Sequence, residues 1–274
     1  MSPTDEAAGL FGPGSVSWRV DREAIVLAGG SCALLMQAAH PAVAAGVAQH
    51  STYATDPFGR LFRTLVSSFD IVFGSRSQAD AAITRVNAIH RRVRGRIPES
   101  GAEYSALDPD ALLWVHATLV DTALRVYERW VAPLSPEERE AYHRESARVV
   151  ELLGVEAGRV PPTIGELREW MAAMLDGPVH VTDTARQVAR TVLYPTRIPP
   201  RVAWDAAHLI SLSTLPRSLR RQYGIRWSAE RERGVERMAR ASRLLLPRLP
   251  GPLRHVPQAR RADRRVRQAA ASTR

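Results

Sequence analysis

The stretch DPDALLWVHATLVDTALRVYERWV, residues 108–131, decides the fold class. Asp108 offers a side-chain cap, and Pro109 suits the first helical position, where a missing N–H costs nothing. No glycine or proline interrupts residues 110–131, so a helix of roughly six turns is expected. Leu112, Val115, Leu119 and Val126 recur at helical spacing and define a core stripe. His116 falls beside that stripe, flanked by Leu112, Leu119 and Val120, so its imidazole is expected to be partly buried.

The same signals repeat outward from this helix. Asp21 reads as the cap of a helix through residues 22–40, with Gly29-Gly30 inside it permitting close packing or a kink. Pro41 opens a short helix over 41–50. Asp56-Pro57 repeats the cap-and-proline start for a helix that stops at Gly74, and Ser77 opens another that Gly95 ends. Ser135-Pro136-Glu137-Glu138 has capping-box spacing, and Thr163 caps a helix over 164–176. Further helices are expected near 179–192, 199–211 and 228–246. No alternating period-two run marks a strand. The chain reads as all-α: a single helical domain over 17–250, with a flexible arm over 1–16 and a disordered, arginine-rich tail over 251–274.

Composition narrows the function classes. Hydrophobic residues make up 45% and charged residues 24%, enough apolar sequence for a sizeable core. No run of eighteen apolar residues is present, and the start lacks a basic segment followed by an apolar one, so the expected compartment is cytoplasmic. Cys32 is the single cysteine, which excludes an intrachain disulfide and a thiolate metal cluster. The net charge of +10 raises nucleic-acid binding. Yet all 38 basic residues are arginine, a bias of composition rather than a ligand signature. Seven of them face one aspartate in residues 254–274. No specific nucleic-acid partner is expected; weak contact of that tail with an anionic membrane surface is the alternative. Phosphate-loop, dinucleotide, zinc-protease and nucleophile-elbow motifs are absent.

Polar residues set into apolar helices mark candidate chemistry. Arg60, Arg63 and Thr64 share one helix face, with Phe58, Leu61, Phe62, Leu65 and Val66 covering most of the rest. A guanidinium embedded there needs an anion, which is either an internal carboxylate or a ligand in an anion-lined pocket. His90 lies beside the stripe Ile83, Val86, Ile89 and Val93, with Arg91, Arg92, Arg94 and Arg96 behind it. A neutral imidazole beside guanidiniums suits a haem site, the nitrogen meeting iron and the arginines the propionates. A hydrogen-bonded structural histidine is the plainer reading, for His90 as for His116. His40 and His50 have weaker cases, and His143, His180, His208 and His255 have no supporting constellation. A hydrolase pairing His116 with Asp121 is disfavoured, because residues five apart on a helix do not face each other.

Several long blocks together carry a family resemblance: LLMQAAHPAVAAGVAQHSTYATDPFGRLFRT, NAIHRRVRG, YSALDPDALLWVHATLVDTAL, YHRESARVVELLG and PPTIGELREWM. Over residues 17–215 the chain resembles the DUF2236, or MpaB-like, family, that of the mycophenolic-acid-pathway oxygenase and the catalytic domain of latex clearing protein, the rubber oxygenase. The resemblance implies a globin-related helical core, a b-type haem, and reaction of dioxygen with a hydrophobic, unsaturated or isoprenoid substrate. In latex clearing protein the distal face carries arginine, lysine and threonine at the spacing R-x-x-K-T. Arg60, Arg63 and Thr64 match that spacing and are the implied catalytic residues, with arginine in the place of lysine. Lysine ligates iron when deprotonated, whereas arginine stays charged, so Arg63 is expected to donate hydrogen bonds instead. The implied axial ligand is His90, with His116 as the alternative. Arg91, Arg94 and His40 complete the cofactor set, and the apolar faces of helices 24–39 and 108–131 are expected to line the substrate site. The same fold without turnover, as a haem or lipid carrier, is the main competing reading. A colourless helical protein binding anionic surfaces is the other.

Overall fold

The computed structural model describes residues 2–51, 56–193 and 201–272; the side chains of 57, 58, 60–62 and 201–203 are outside that set. Helix α1 (Pro3–Ala8), α2 (Val16–Asp21), a 3-10 turn (Ala24–Gly29), α3 (Gly30–Ala38) and α4 (Pro41–His50) lead to α5 (Pro57–Phe73) and α6 (Arg76–His90). A two-stranded antiparallel ribbon, β1 (Arg94–Arg96) and β2 (Glu103–Ser105), precedes the long α7 (Pro109–Trp130). Then come α8 (Pro136–Leu152), α9 (Ile164–Asp176), α10 (Asp183–Leu193), α11 (Arg201–Thr214), α12 (Arg217–Gln222), α13 (Ala229–Leu245), α14 (Gly251–Arg254) and α15 (Pro257–Ser272). The fold is all-α.

Helix α7 is the axis of the main core. Asp108 caps it, accepting from the Ala111 N–H at 2.9 Å. The expected core stripe holds in part: Leu112 and Val126 are buried. Leu119 faces solvent and Val115 is half-buried, while Leu113, Trp114, Ala117, Val120, Leu124 and Tyr127 are buried. A helix wrapped on most sides buries more than one stripe, so spacing alone cannot say which line of residues is left out. The first half of the chain closes one of these sides. Trp114 Nε1 donates to the Met36 carbonyl at 3.0 Å, and Gln37 Nε2 donates to Thr118 Oγ1 at 3.2 Å. A Cβ on Gly29 would stand 2.7 Å from Thr122 Cγ2 and 2.9 Å from Val126 Cγ2, so only glycine permits this approach. The apolar faces of 24–39 and 108–131 thus pack on one another in the core.

Other boundaries differ for local reasons. The expected helix over 22–40 is a 3-10 turn followed by α3, and Asp21 caps neither: it ends α2, half-buried, accepting from the Tyr142 hydroxyl at 2.9 Å. Ser75, not Ser77, caps α6, in a reciprocal box with Gln78. Gly95 stands in β1 opposite Tyr104 rather than at a helix end. The terminal segments depart most. The expected arm contains α1, closed by a capping box between Ser2 and Asp5. The expected disordered tail contains α15, with Val256, Ala259 and Ala262 buried against Trp18 and Phe73. Two of its arginines are anchored: Arg265 donates to the carbonyls of Ala7 and Phe73, and Arg254 grips buried Glu23 through two guanidinium nitrogens and both oxygens, while Asp263 pairs with Arg22. Alanines at helical spacing give the segment an inner face, which a count of its charges overlooks.

Candidate functional site

Helices α5 and α6 form an antiparallel hairpin. Asp56 caps α5 by accepting from the Gly59 N–H at 2.9 Å. Arg85 of α6 pairs with Asp70 of α5 at 3.1 Å. Helix α5 ends at Phe73 and α6 starts at Arg76, so His90 stands at the open end of the hairpin, opposite the first turn of α5, and Arg63 and Thr64 lie about a turn or more further in. The sequence expectation that Arg63 and Thr64 are embedded among apolar residues does not hold. Both are at the surface, and Arg63, 60% exposed, pairs with Asp56 at 3.3 Å. The Arg60 side chain lies outside the described residues.

His90 is half-buried, and its Nδ1 is shielded from solvent with no hydrogen-bond partner among the described residues. Burial pulls its pKa below the ordinary histidine range, so the ring is neutral at neutral pH. Arg91 and Arg94 follow it, both exposed. His50 has a structural role: its Nε2 donates to the Arg94 carbonyl at 3.1 Å, while Gln49 Nε2 donates to the Arg96 carbonyl and accepts through Oε1 from the Tyr104 hydroxyl. These bonds fasten the end of α4 to the ribbon beside His90. His40 starts the same helix, about 15 Å away along its axis. It is half-buried with an unbonded Nδ1, and burial lowers its pKa against the opposing pull of Asp108 and Asp110. The structure does not bring His40 to the His90 end.

His116 lies elsewhere, inside the main core. Burial, reinforced by neighbouring His143, pushes its pKa down to about 3, and its Nε2 has no hydrogen-bond partner among the described residues. His143 of α8 is also buried; its Nε2 donates to the Pro161 carbonyl at 2.7 Å and its Nδ1 is unbonded. This second imidazole was missed from sequence, although its i+7 spacing to buried Val150 marks the inner face of α8. Asp121 does not serve His116: its oxygens accept from Arg125 at 2.6 Å and Arg168 at 2.9 Å, tying α7 to α9. The hydrolase pairing has no support in this arrangement.

The donor set bears on which group fits. Among the described residues no three histidine, cysteine or carboxylate side chains converge as a metal site. A haem iron asks the protein for one axial imidazole, which a neutral His90 with an unbonded ring nitrogen supplies. Two cavities, of about 340 and 450 Å³, lie away from this end, and no residue of α5 or α6 lines either.

The profile of a family described as the ER-bound oxygenase mpaB/B'/rubber oxygenase catalytic domain matches residues 18–244. The chain belongs to that family. Uncharacterized proteins of Mycobacterium bovis and Mycobacterium tuberculosis are each 26% identical to it over 219 residues, spanning 77% of this chain and 85% of the relative. No solved structure matches it significantly. The matched range covers the hairpin, the ribbon and all of α7, and stops just short of the end of α13. An oxygenase catalytic domain is what these elements build.

Proposed function

We propose that this protein is a b-type haem-dependent oxygenase acting on a hydrophobic, unsaturated substrate of the isoprenoid kind. The observation that supports this most is a half-buried His90 with an unbonded ring nitrogen, on a helix packed against the one that carries exposed Arg63 and Thr64. Haem, when bound, supplies the centre at which dioxygen is activated. His90, kept neutral by burial, would hold the iron, and exposed Arg91 and Arg94 would pair with the propionates. Arg63 and Thr64 are donors toward oxygen, with Arg60 assigned beside them from sequence. Arg63 is already held by Asp56, so its guanidinium is oriented before any ligand arrives, as an electrostatic role requires. The globin-related core belongs to the same reading.

The test is the absorption spectrum of the purified protein reconstituted with haem, followed by oxygen uptake with an isoprenoid lipid. A Soret band is expected in the wild type and in His116→Ala, and its loss in His90→Ala. No band in the wild type, or an unchanged band in His90→Ala, overturns the assignment. A band without oxygen uptake makes the protein a haem carrier.

A further inference from the structure

Residues 237–262 hold seven arginines and no carboxylate. Some of these arginines are turned inward: Arg254 grips Glu23, and Arg243 donates to the Arg129 carbonyl. Arg237, Arg240 and Arg248 are exposed. The same stretch carries five of the ten large apolar side chains exposed among the described residues. Leu244, Leu245 and Leu253 are 61%, 62% and 72% exposed, and Met238 and Leu249 join them. The local chain path explains the grouping. Leu246 turns in to pack on the main core, Pro247 breaks the helix, and a 3-10 turn over Leu246–Arg248 leaves the flanking leucines facing out.

Leucines this exposed and this clustered call for an occupant. A second copy is a poor one, because a two-fold contact sets the same arginines against each other. Nucleic acid answers the charge and leaves the leucines wet. An anionic bilayer answers both, taking leucines into the boundary between headgroups and acyl chains while arginines meet lipid phosphates. We propose that the corner formed by the end of α13, the 3-10 turn and α14 docks this protein onto an anionic membrane surface. Most of this corner lies beyond the family match, which ends at residue 244, so it is a feature of this chain rather than of the matched domain. It differs from the expected membrane contact of a loose tail, since α15 is packed against α1 and α5. The proposal does not depend on haem.

The experiment is co-flotation of the full chain with vesicles of neutral phosphatidylcholine and with vesicles that also carry phosphatidylglycerol. The wild type is expected to float with the anionic vesicles only. Leu245→Glu/Leu253→Glu and Arg237→Glu/Arg240→Glu are each expected to weaken that binding by about tenfold or more. These positions are exposed, so circular dichroism and the melting temperature should be unchanged. Arg261→Glu/Arg264→Glu, on the outer face of α15, should float like the wild type. A wild type that stays unbound with both vesicles overturns the proposal, as does undiminished flotation of the leucine variant. Light scattering that shows a dimer dissolved by the leucine changes, with flotation unaltered, assigns the corner to a second copy instead.

Discussion

The two buried-histidine regions of this molecule contrast. At the hairpin end His90 is half-buried and followed by exposed Arg91 and Arg94, with exposed Arg63 and Thr64 on the partner helix. In the main core His116 of α7 and His143 of α8 are neighbours, both buried away from solvent. Both regions hold a neutral imidazole with an unbonded nitrogen. An orphaned ring nitrogen by itself therefore does not identify a ligand. Their surroundings differ: His90 lies at the end of a helix beside exposed residues, its Nδ1 shielded but the ring only half-buried, whereas His116 would have to be unpacked from the core to admit a planar cofactor.

Substitution of the two histidines should separate binding from stability. His90→Ala is expected to lower haem affinity about a hundredfold or more while changing the unfolding free energy by no more than about 1 kcal/mol. His116→Ala should leave haem affinity within a few-fold and cost about 2 kcal/mol or more in a urea titration, because it empties volume in a packed core. The reverse pattern would move the axial ligand to the core and break the contrast.

Arg63 sharpens the hairpin side. Arg63→Ala is expected to reduce turnover by roughly a hundredfold, the size of a lost oxyanion-type donor. Its ion pair with Asp56 is exposed, so stability should move by no more than about 0.5 kcal/mol. Arg63→Lys restores the residue that latex clearing protein carries at this spacing. It is expected to alter the visible spectrum of the haem-loaded protein, since a lysine amine ligates iron when deprotonated and a guanidinium does not.

Glu23 sharpens the core side. It is buried and bonded to Arg254 through both carboxylate oxygens, and this clamp holds the C-terminal segment to the 3-10 turn of the N-terminal half. Glu23→Gln leaves a shielded guanidinium without its anion and should cost about 3 kcal/mol, read as a lowered melting temperature. Haem binding at the open end of the hairpin should be unaffected.

Much of the fold was legible because its signals are local. Asp56, Asp108, Ser135 and Thr163 all cap the helices that their spacing marked. Gly29 meets Thr122 and Val126 at the close approach a helical glycine pair suggested. What escaped reading depends on partners distant in sequence. Arg254 looks like tail charge until Glu23 lies against it, 231 residues earlier. Leu119 looks like core until the neighbours of α7 leave its side open. The candidate site divides the same way. Helical spacing put Arg63 and Thr64 on one face, but only the packing of α5 on α6 puts them in the same hairpin as His90. His40 shared their sequence block and stands at the other end of α4.

The smallest expected effect is a slope, and it tests how dry the core side is. Burial pushes His116 down to about 3 and, with Glu145 nearby, pushes Asp21 up to about 7. Between about pH 4.5 and 6.5 the two act in opposite senses. Unfolded His116 takes up a proton near its ordinary pKa and the folded ring refuses it, so this residue makes the protein less stable as pH falls. Folded Asp21 keeps a proton that the unfolded carboxyl has released, so this residue makes the protein less stable as pH rises. Each contributes a slope of at most about 1.4 kcal/mol per pH unit, and the two largely cancel. His40, His90, His208 and His255 are also held below the ordinary histidine range, which leaves the wild type losing stability toward acid. Asp21→Asn should steepen that acid loss by about 1 kcal/mol per unit, and His116→Leu should flatten it by a similar amount. Urea midpoints taken across this range measure both slopes. If His116→Leu leaves the slope unchanged, the core imidazole already titrates with solvent access, and burial no longer separates the two histidine regions.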